Sequence, residues 1–311
     1  MKQTLKALLI LLALGLFSTA PLNAANNKLS KQVDRVPAKL LFGKVTIPNH
    51  ADAQSIGGYA DGCLAGAAEL PLTDPAEKPA WQVMRPSRNR NWGNPELIAF
   101  LEKLAREARD AGEWPGLLVG DMAQPRGGPM LTGHASHQIG LDADIWLTPM
   151  PDRILSRKER ETISARSMVL DHYRIDPKAW SDGRAALIAR AAKNPELARI
   201  FVHPPIKKAI CEWAKANGTS GKWLAKIRPY YGHTYHFHVR LACPKGNKGC
   251  KNQNPPAPAD GTGCGQELST WLSKDFWARR QPAPPSKPIK PAPPLTLAAL
   301  PMACRTVLNS P

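Results

Sequence analysis

The sequence contains no CxxC pair, no internal repeat of fixed period and, beyond its first two dozen residues, no apolar run long enough to span a bilayer. The first absence excludes zinc-ribbon spacing. The second excludes solenoids and propellers. The third argues against stable membrane insertion, since a helical span needs ~20 apolar residues. Acidic side chains are also scarce, 25 against 42 Lys and Arg, for a formal net charge of +17. A surplus of that sign favours anionic partners and speeds encounter with them, besides aiding solubility. Histidine is rarer still. There are eight, and five of them fall in two short groups, 134–137 and 233–238.

What is present begins with an export pattern. Lys2 and Lys6 make a basic start, Ala7 to Phe17 is apolar apart from Gly15, and small residues lead to Ala24. This is the layout of a secretory signal peptide, with cleavage expected after Ala24 and the mature chain in the periplasm. Without Lys2 and Lys6 the charge falls to +15. The remaining residues, about 285, suit one large domain or two small ones. All six cysteines lie in the mature part. An even count in an exported chain points to three disulfides. Cys243 and Cys250 flank a short loop that closes at little entropic cost. Cys304 is expected to pair with Cys63, tethering the tail to the body, while the partners of Cys211 and Cys264 stay open. Export and paired cysteines argue against nucleic acid as the anionic partner. The cell wall with its acidic stem peptides fits better.

The local pattern mixes helices and strands without a βαβ repeat, which predicts an α+β class. Asn94 caps a helix that Pro95 opens and Gly112 stops, with Leu97, Ile98, Leu101, Leu104, Ala105 and Ala108 at helical spacing. Helices are also predicted over 183–193 and 206–216. Leu117–Val119, Ile139–Leu147, Arg199–Val202 and Thr234–Leu241 read as strands. In the last of these, Tyr235, Phe237, Val239 and Leu241 face one way and His236, His238 and Arg240 the other. Gln281 to Pro301 holds eight prolines, which predicts an extended, poorly ordered spacer. The organisation expected is a signal peptide (1–24), one domain (25–280) and a Pro-rich tail (281–311).

The two histidine groups carry the chemistry. One is GHASHQIGLDAD over 133–144, the other HTYHFH over 233–238. Residues two apart on a strand point the same way, so His236 and His238 share one space and Asp142 and Asp144 another. If the two strands are neighbours, a loop histidine, an aspartate and a strand histidine converge on a metal. Three protein ligands with a place kept for water is the usual arrangement of catalytic zinc, and the ion brings the pKa of water to ~7. A second histidine beside it moves the proton. Nickel, copper or iron suit similar ligands; zinc is preferred for hydrolysis. An HxH pair alone is weak, because satisfied core or surface histidines are commoner, but HxxxxxxD joined to a distant HxH is far more specific.

SHQIGLDADI (136–145) and HFHV (236–239) resemble the motifs of zinc peptidases grouped with lysostaphin-type enzymes, D-Ala-D-Ala metallopeptidases and hedgehog-like domains. More narrowly, GGPMLTGHASHQIGLDADIW, RIFVHPPIKKAIC and HFHVRLACP resemble the penicillin-insensitive murein endopeptidase family, and the likeness covers most of residues 54 to 272. The resemblance implies a small antiparallel sheet carrying a zinc site flanked by helices. It implies His137, Asp144 and His238 as zinc ligands and His236 as the residue assisting water. His134 and His233 lie at the rim, near substrate or a second metal. Asp142 would orient a ligand histidine, and Arg240 would meet a substrate carboxylate or simply lie on the surface. The implied reaction is cleavage of the D-alanyl-meso-diaminopimelate cross-link of peptidoglycan, with a D,D-carboxypeptidase or dipeptidase, or a non-catalytic zinc-containing wall-binding module, as alternatives. His50 and His203 read as structural, His172 stays unassigned, and Trp81, Trp92, Trp146 and Tyr230 are core aromatics or cleft walls.

Overall fold

The computed structural model describes residues 35–279 and 293–311. The expected signal peptide and the first part of the Pro-rich stretch therefore lie outside the described residues. In chain order the strands are β1 (Gln54–Gly58), β2 (Asp61–Ala65), β3 (Ala68–Glu69), β4 (Trp81–Val83), β5 (Trp92–Gly93), β6 (Leu117–Val119), β7 (Asp142–Trp146), β8 (Leu197–Val202), β9 (Ile227–Pro229) and β10 (His236–Leu241). β1–β2 and β3–β5 form two-stranded sheets, and the other six form one sheet in the order β4-β6-β7-β10-β8-β9.

This central sheet is mixed, which corrects the expectation of a purely antiparallel one. Its middle is antiparallel, but β4 pairs β6 and β8 pairs β9 in parallel. Parallel neighbours need a crossover. The helix Pro95–Asp110 lies between β4 and β6 in the chain, and Pro204–Ala216 lies between β8 and β9. The sheet thus has two β-α-β units at its edges, hidden in the sequence because β4, β6 and β9 are only three residues long.

Local signals held where they were chemical. Asn94 accepts a hydrogen bond from Glu96 N at 3.1 Å, with Pro95 in the first turn. The next such helix starts at Pro204 rather than Ile206, since prolines suit a first turn that lacks partners for its N–H groups. Beneath the sheet, Phe237, Val239, Ala143 and Ile145 pack in the main core with Leu97, Leu101, Leu187, Ile188 and Ile206. Their opposite-facing neighbours are free to be polar. Trp81 is core at 1% exposure, and Trp146 is buried as well.

The three disulfides are Cys63–Cys304, Cys211–Cys264 and Cys243–Cys250. The first and third match expectation, and the second resolves the open pair. Beyond residue 292 the chain is packed rather than a loose spacer. Leu297, Leu300, Cys304 and Val307 make a second small core with Ala38, Phe42 and Cys63. Arg126, itself buried, donates to the carbonyls of Val307, Leu308 and Ser310. Among the described residues no helix is long and apolar enough to cross a membrane.

Candidate metal centre

Strand register builds the site. β10 runs antiparallel to β7 with His236 opposite Trp146, His238 opposite Asp144 and Arg240 opposite Asp142. Since alternate side chains share a face, this register puts His236, His238, Arg240, Asp142 and Asp144 together on the side away from the core. A slip of one residue would exchange that face for Phe237, Val239, Ala143 and Ile145.

The loop before β7 brings the other histidines over this face. His137 adopts the left-handed conformation (φ 69°) and its backbone N–H donates to Asp142 Oδ2 at 3.0 Å. Gly140, also left-handed, packs so tightly that a Cβ there would come within 2.5 Å of Leu64. Only glycine allows the turn that returns the chain to β7.

Four imidazoles surround Asp144. Its Oδ1 lies 3.2 Å from His238 Nδ1, 3.5 Å from His236 Nε2 and 3.6 Å from His137 Nε2, while Oδ2 lies 3.5 Å from His134 Nδ1. Donor atoms of His134, His137 and Asp144 are mutually within 4.8 Å; His238 is not part of that set, although its ring is the nearest to Asp144. Two of the histidines are backed by a carboxylate. His134 Nε2 meets Asp121 Oδ2 at 3.0 Å, and His238 Nε2 meets Asp142 Oδ1 at 3.1 Å, an ion-pair distance without hydrogen-bond alignment.

Satisfaction of polar atoms separates this cluster from an ordinary buried network. Both ring nitrogens of His137, Asp144 Oδ1, His236 Nδ1 and His238 Nε2 are buried and lack a hydrogen-bond partner. An orphaned buried polar atom costs about 1–3 kcal/mol, so several in one place mark a site shaped for something else. A divalent ion fits this donor set: imidazole and carboxylate are the ligands of hydrolytic zinc.

The charges agree. Burial pushes His137 down to about 3 and His233 likewise to about 3, which leaves both rings neutral with lone pairs to give. Burial opposes ionisation of Asp144, but the imidazoles, His236 first, hold it well below the usual carboxylate range. At Asp121 burial is likewise overcome, by the bond to His134 and by Arg90 and Arg88, and its carboxyl sits at about 2.

The expected residues thus come together: His134, His137, Asp142, Asp144, His236 and His238 directly, with His233 alongside, its ring 4.9 Å from that of His236. Of the two readings of Arg240, the surface one is overturned. Arg240 is 5% exposed and its guanidinium is taken by Asp142 at 2.7 and 3.1 Å and by Gln253 at 2.8 Å, so it is no surface arginine and is already paired. Asp142 serves three groups at once: Arg240, His238 and the backbone of His137. His172 and His203 lie apart from the site, their rings paired with each other at 3.2 Å and against Trp277. His50 is exposed.

Asp121, Arg88 and Arg90 escaped the sequence reading. Asp121 follows a fully buried strand, Leu117–Val119, after a single glycine; a charge placed so soon after such a strand is the signal that was there.

The cluster sits between two depressions. A wide one, about 970 Å³, is walled by Tyr59, Phe201, Tyr230 and His233. A narrow one, about 270 Å³, is lined by Arg85, Arg88, Trp146, Ser164 and Tyr235. His134 borders both.

The model of the family described as penicillin-insensitive murein endopeptidase matches residues 55–309. A protein of that name from Haemophilus influenzae is 42% identical over 264 residues, 83% of this chain and 84% of the relative. Relatives of the same name from Yersinia pestis and Klebsiella pneumoniae are 40% and 39% identical, covering 88% and 86% of this chain and 92% and 90% of their own.

Proposed function

The chain belongs to the penicillin-insensitive murein endopeptidase family, and from that premise we propose that it cleaves the D-alanyl-meso-diaminopimelate cross-link of peptidoglycan with zinc held on the β7–β10 face. It is a murein endopeptidase, a hydrolase of peptide bonds acting on peptidoglycan. The observation that carries the finer reading is the set of buried nitrogen and oxygen atoms around Asp144 that have no partner within the protein.

His137, Asp144 and His238 would hold the ion. His238 is assigned because its Nδ1 lies nearest Asp144 while its Nε2 faces Asp142, the backing that metal-bound histidines usually have. His134, backed in the same way by Asp121, stands at the rim, where it would meet substrate or a second metal. When bound, zinc supplies a Lewis acid for the scissile carbonyl and lowers the pKa of water to ~7. His236 contributes the proton transfers. Its ring faces the cluster through Nε2, so it takes the proton from the attacking water there and returns it to the leaving amine. Asp142 fixes Arg240, the His137 backbone and His238 in one frame, so that ligands are positioned before substrate arrives. No serine nucleophile enters this scheme, so penicillins have nothing to acylate. Three disulfides support our placing of the enzyme outside the cytoplasm, in the periplasm.

The test is digestion of purified cross-linked muropeptide dimers, with metal analysis in parallel. Monomers should appear, a chelator should stop their release, and added zinc should restore it. Release of free D-alanine without monomers would instead establish a carboxypeptidase on this scaffold.

A further inference from the structure

The narrow depression holds two guanidiniums that the hydrolytic centre does not use. Arg85 and Arg88 line it beside His134 and two carboxylates, Asp144 and Asp121. Asp144 is committed to the histidine cluster, and Asp121 is shared three ways, with Arg88 at 3.0 Å, Arg90 at 2.8 Å and His134 at 3.0 Å. Arg85 donates to two carbonyls, Arg160 O and Ile163 O, and stacks 5.3 Å from the Trp146 ring, so its charge is solvated by dipoles rather than neutralised. The side chain of Arg88 is 48% exposed.

The backbone that presents these two arginines is strained. Arg85 and Asn89 both occupy the left-handed region, at φ 57° and 52°, on either side of the turn Pro86–Arg88. Such conformations persist where the surroundings impose them, and they gather at ligand clamps. The turn is pinned from outside by Arg85 N to Arg160 O and by Ser87 to Glu161. The wide side carries cations of its own, Arg240, Arg199 and Lys251, but Arg240 is already held by Asp142 and Arg199 donates to Asn254 O.

The chemistry of the scissile bond supplies the matching anion. In a D-alanyl-diaminopimelate cross-link the leaving nitrogen is attached to a carbon that also carries a free carboxylate. That carboxylate lies within one residue of the bond being cut. A depression of about 270 Å³ next to Asp144 holds a group of this size. We propose that Arg88, with Arg85 behind it, binds the carboxylate adjacent to the leaving nitrogen and so selects diaminopimelate on the leaving-group side. Guanidinium suits the task because it meets a carboxylate through two parallel N–H bonds. This assignment rests on the cross-link reading above and names the feature of the substrate that the narrow side reads.

The experiment compares two dimers, one with that carboxylate free and one with it amidated, on the full-length zinc-loaded enzyme. The native enzyme should cut the free dimer at least tenfold faster in kcat/KM, mostly through KM. Arg88→Gln should lose tenfold or more on the free dimer and little on the amidated one, erasing the preference, and Arg88→Lys should recover part of it. Equal cleavage of both dimers by the native enzyme overturns the proposal without need of any variant. So does a preference that survives in Arg88→Gln, or a loss equal on both dimers, which would assign Arg88 to the support of Asp121 alone. If the native enzyme cuts neither dimer, the cross-link reading falls instead. Equilibrium binding of the free and amidated monomers to the native enzyme and to Arg88→Gln then decides the arginine assignment separately: a preference for the free monomer that the variant loses upholds it, and equal binding, or a preference that survives in the variant, ends it.

Discussion

Lys207 and Asp144 are both charged groups taken out of water, 0% and 5% exposed, and the protein treats them in opposite ways. Lys207 is closed off. Its ammonium donates to Leu224 O at 2.6 Å and Thr262 O at 2.9 Å, tying the helix Pro204–Ala216 to the loop that carries Cys264. Asp144 is left open. Its Oδ1 has three imidazole nitrogens within 3.6 Å and a hydrogen bond from none of them. Lys207 therefore works as a structural rivet, and the Asp144 cluster as a socket whose missing partner is an ion. Burial alone does not separate structure from function at these two residues; satisfaction of the buried atoms does.

Asp144→Asn gives the largest expected effect. Loss of the charge at the hub should remove metal and abolish turnover by about 10⁴-fold or more, because the ion's own contribution to the chemistry goes with it. With chelator present, the variant should melt only modestly lower than the native protein, since the imidazoles that hold the carboxylate below its usual range lose their counter-charge. A large loss of stability in the variant would make Asp144 a rivet too. His236→Ala comes next: turnover should fall about 10³-fold, the range of general acid–base catalysis, with metal content by elemental analysis unchanged.

Asp142→Asn tests the border between the two kinds of burial, because Asp142 neutralises Arg240 while backing His238. Leaving Arg240 buried with a weakened partner should cost about 3 kcal/mol in urea melts, and metal affinity should fall about 10-fold or more. The smallest effect belongs to Lys207. Burial, with Arg228 adding repulsion, brings it down to about 7. Between pH 7 and ~10 the unfolded chain holds a proton there that the folded chain lacks, so its contribution to stability rises with pH across that window; below pH 7 the penalty for the buried charge is present in full. The stability of the native protein relative to Lys207→Met should therefore grow by about 2 kcal/mol from pH 7 to 10. A difference that stays flat with pH would show that Lys207 keeps its charge throughout.

The socket was legible in the sequence because its rule is local. Strand parity alone puts His236 with His238 and Asp142 with Asp144, and few histidines elsewhere compete for attention. The rest depended on distance along the chain. The Asp121–His134 contact and the Arg240–Asp142 pair join residues 13 and 98 apart, and nothing in either segment names its partner. The parallel edges of the sheet were hidden for a related reason, since three-residue strands carry too little alternation to be seen. The packed tail shows the reverse failure: a Pro-rich composition draws attention away from the four apolar side chains, Leu297, Leu300, Cys304 and Val307, that are enough to dock the end of the described chain.

That docking reaches back to the site. The loop over 127–140, which carries His134 and His137, begins beside Arg126, and Arg126 spends its guanidinium on carbonyls at 307, 308 and 310. Cys63, in the strand paired with β1, waits for a partner 241 residues further on. Both fastenings come from residues 304–310, far along the chain from the site, and through Arg126 they hold the start of the loop that carries His134 and His137, so a cut or substitution there reaches the ligands without touching them.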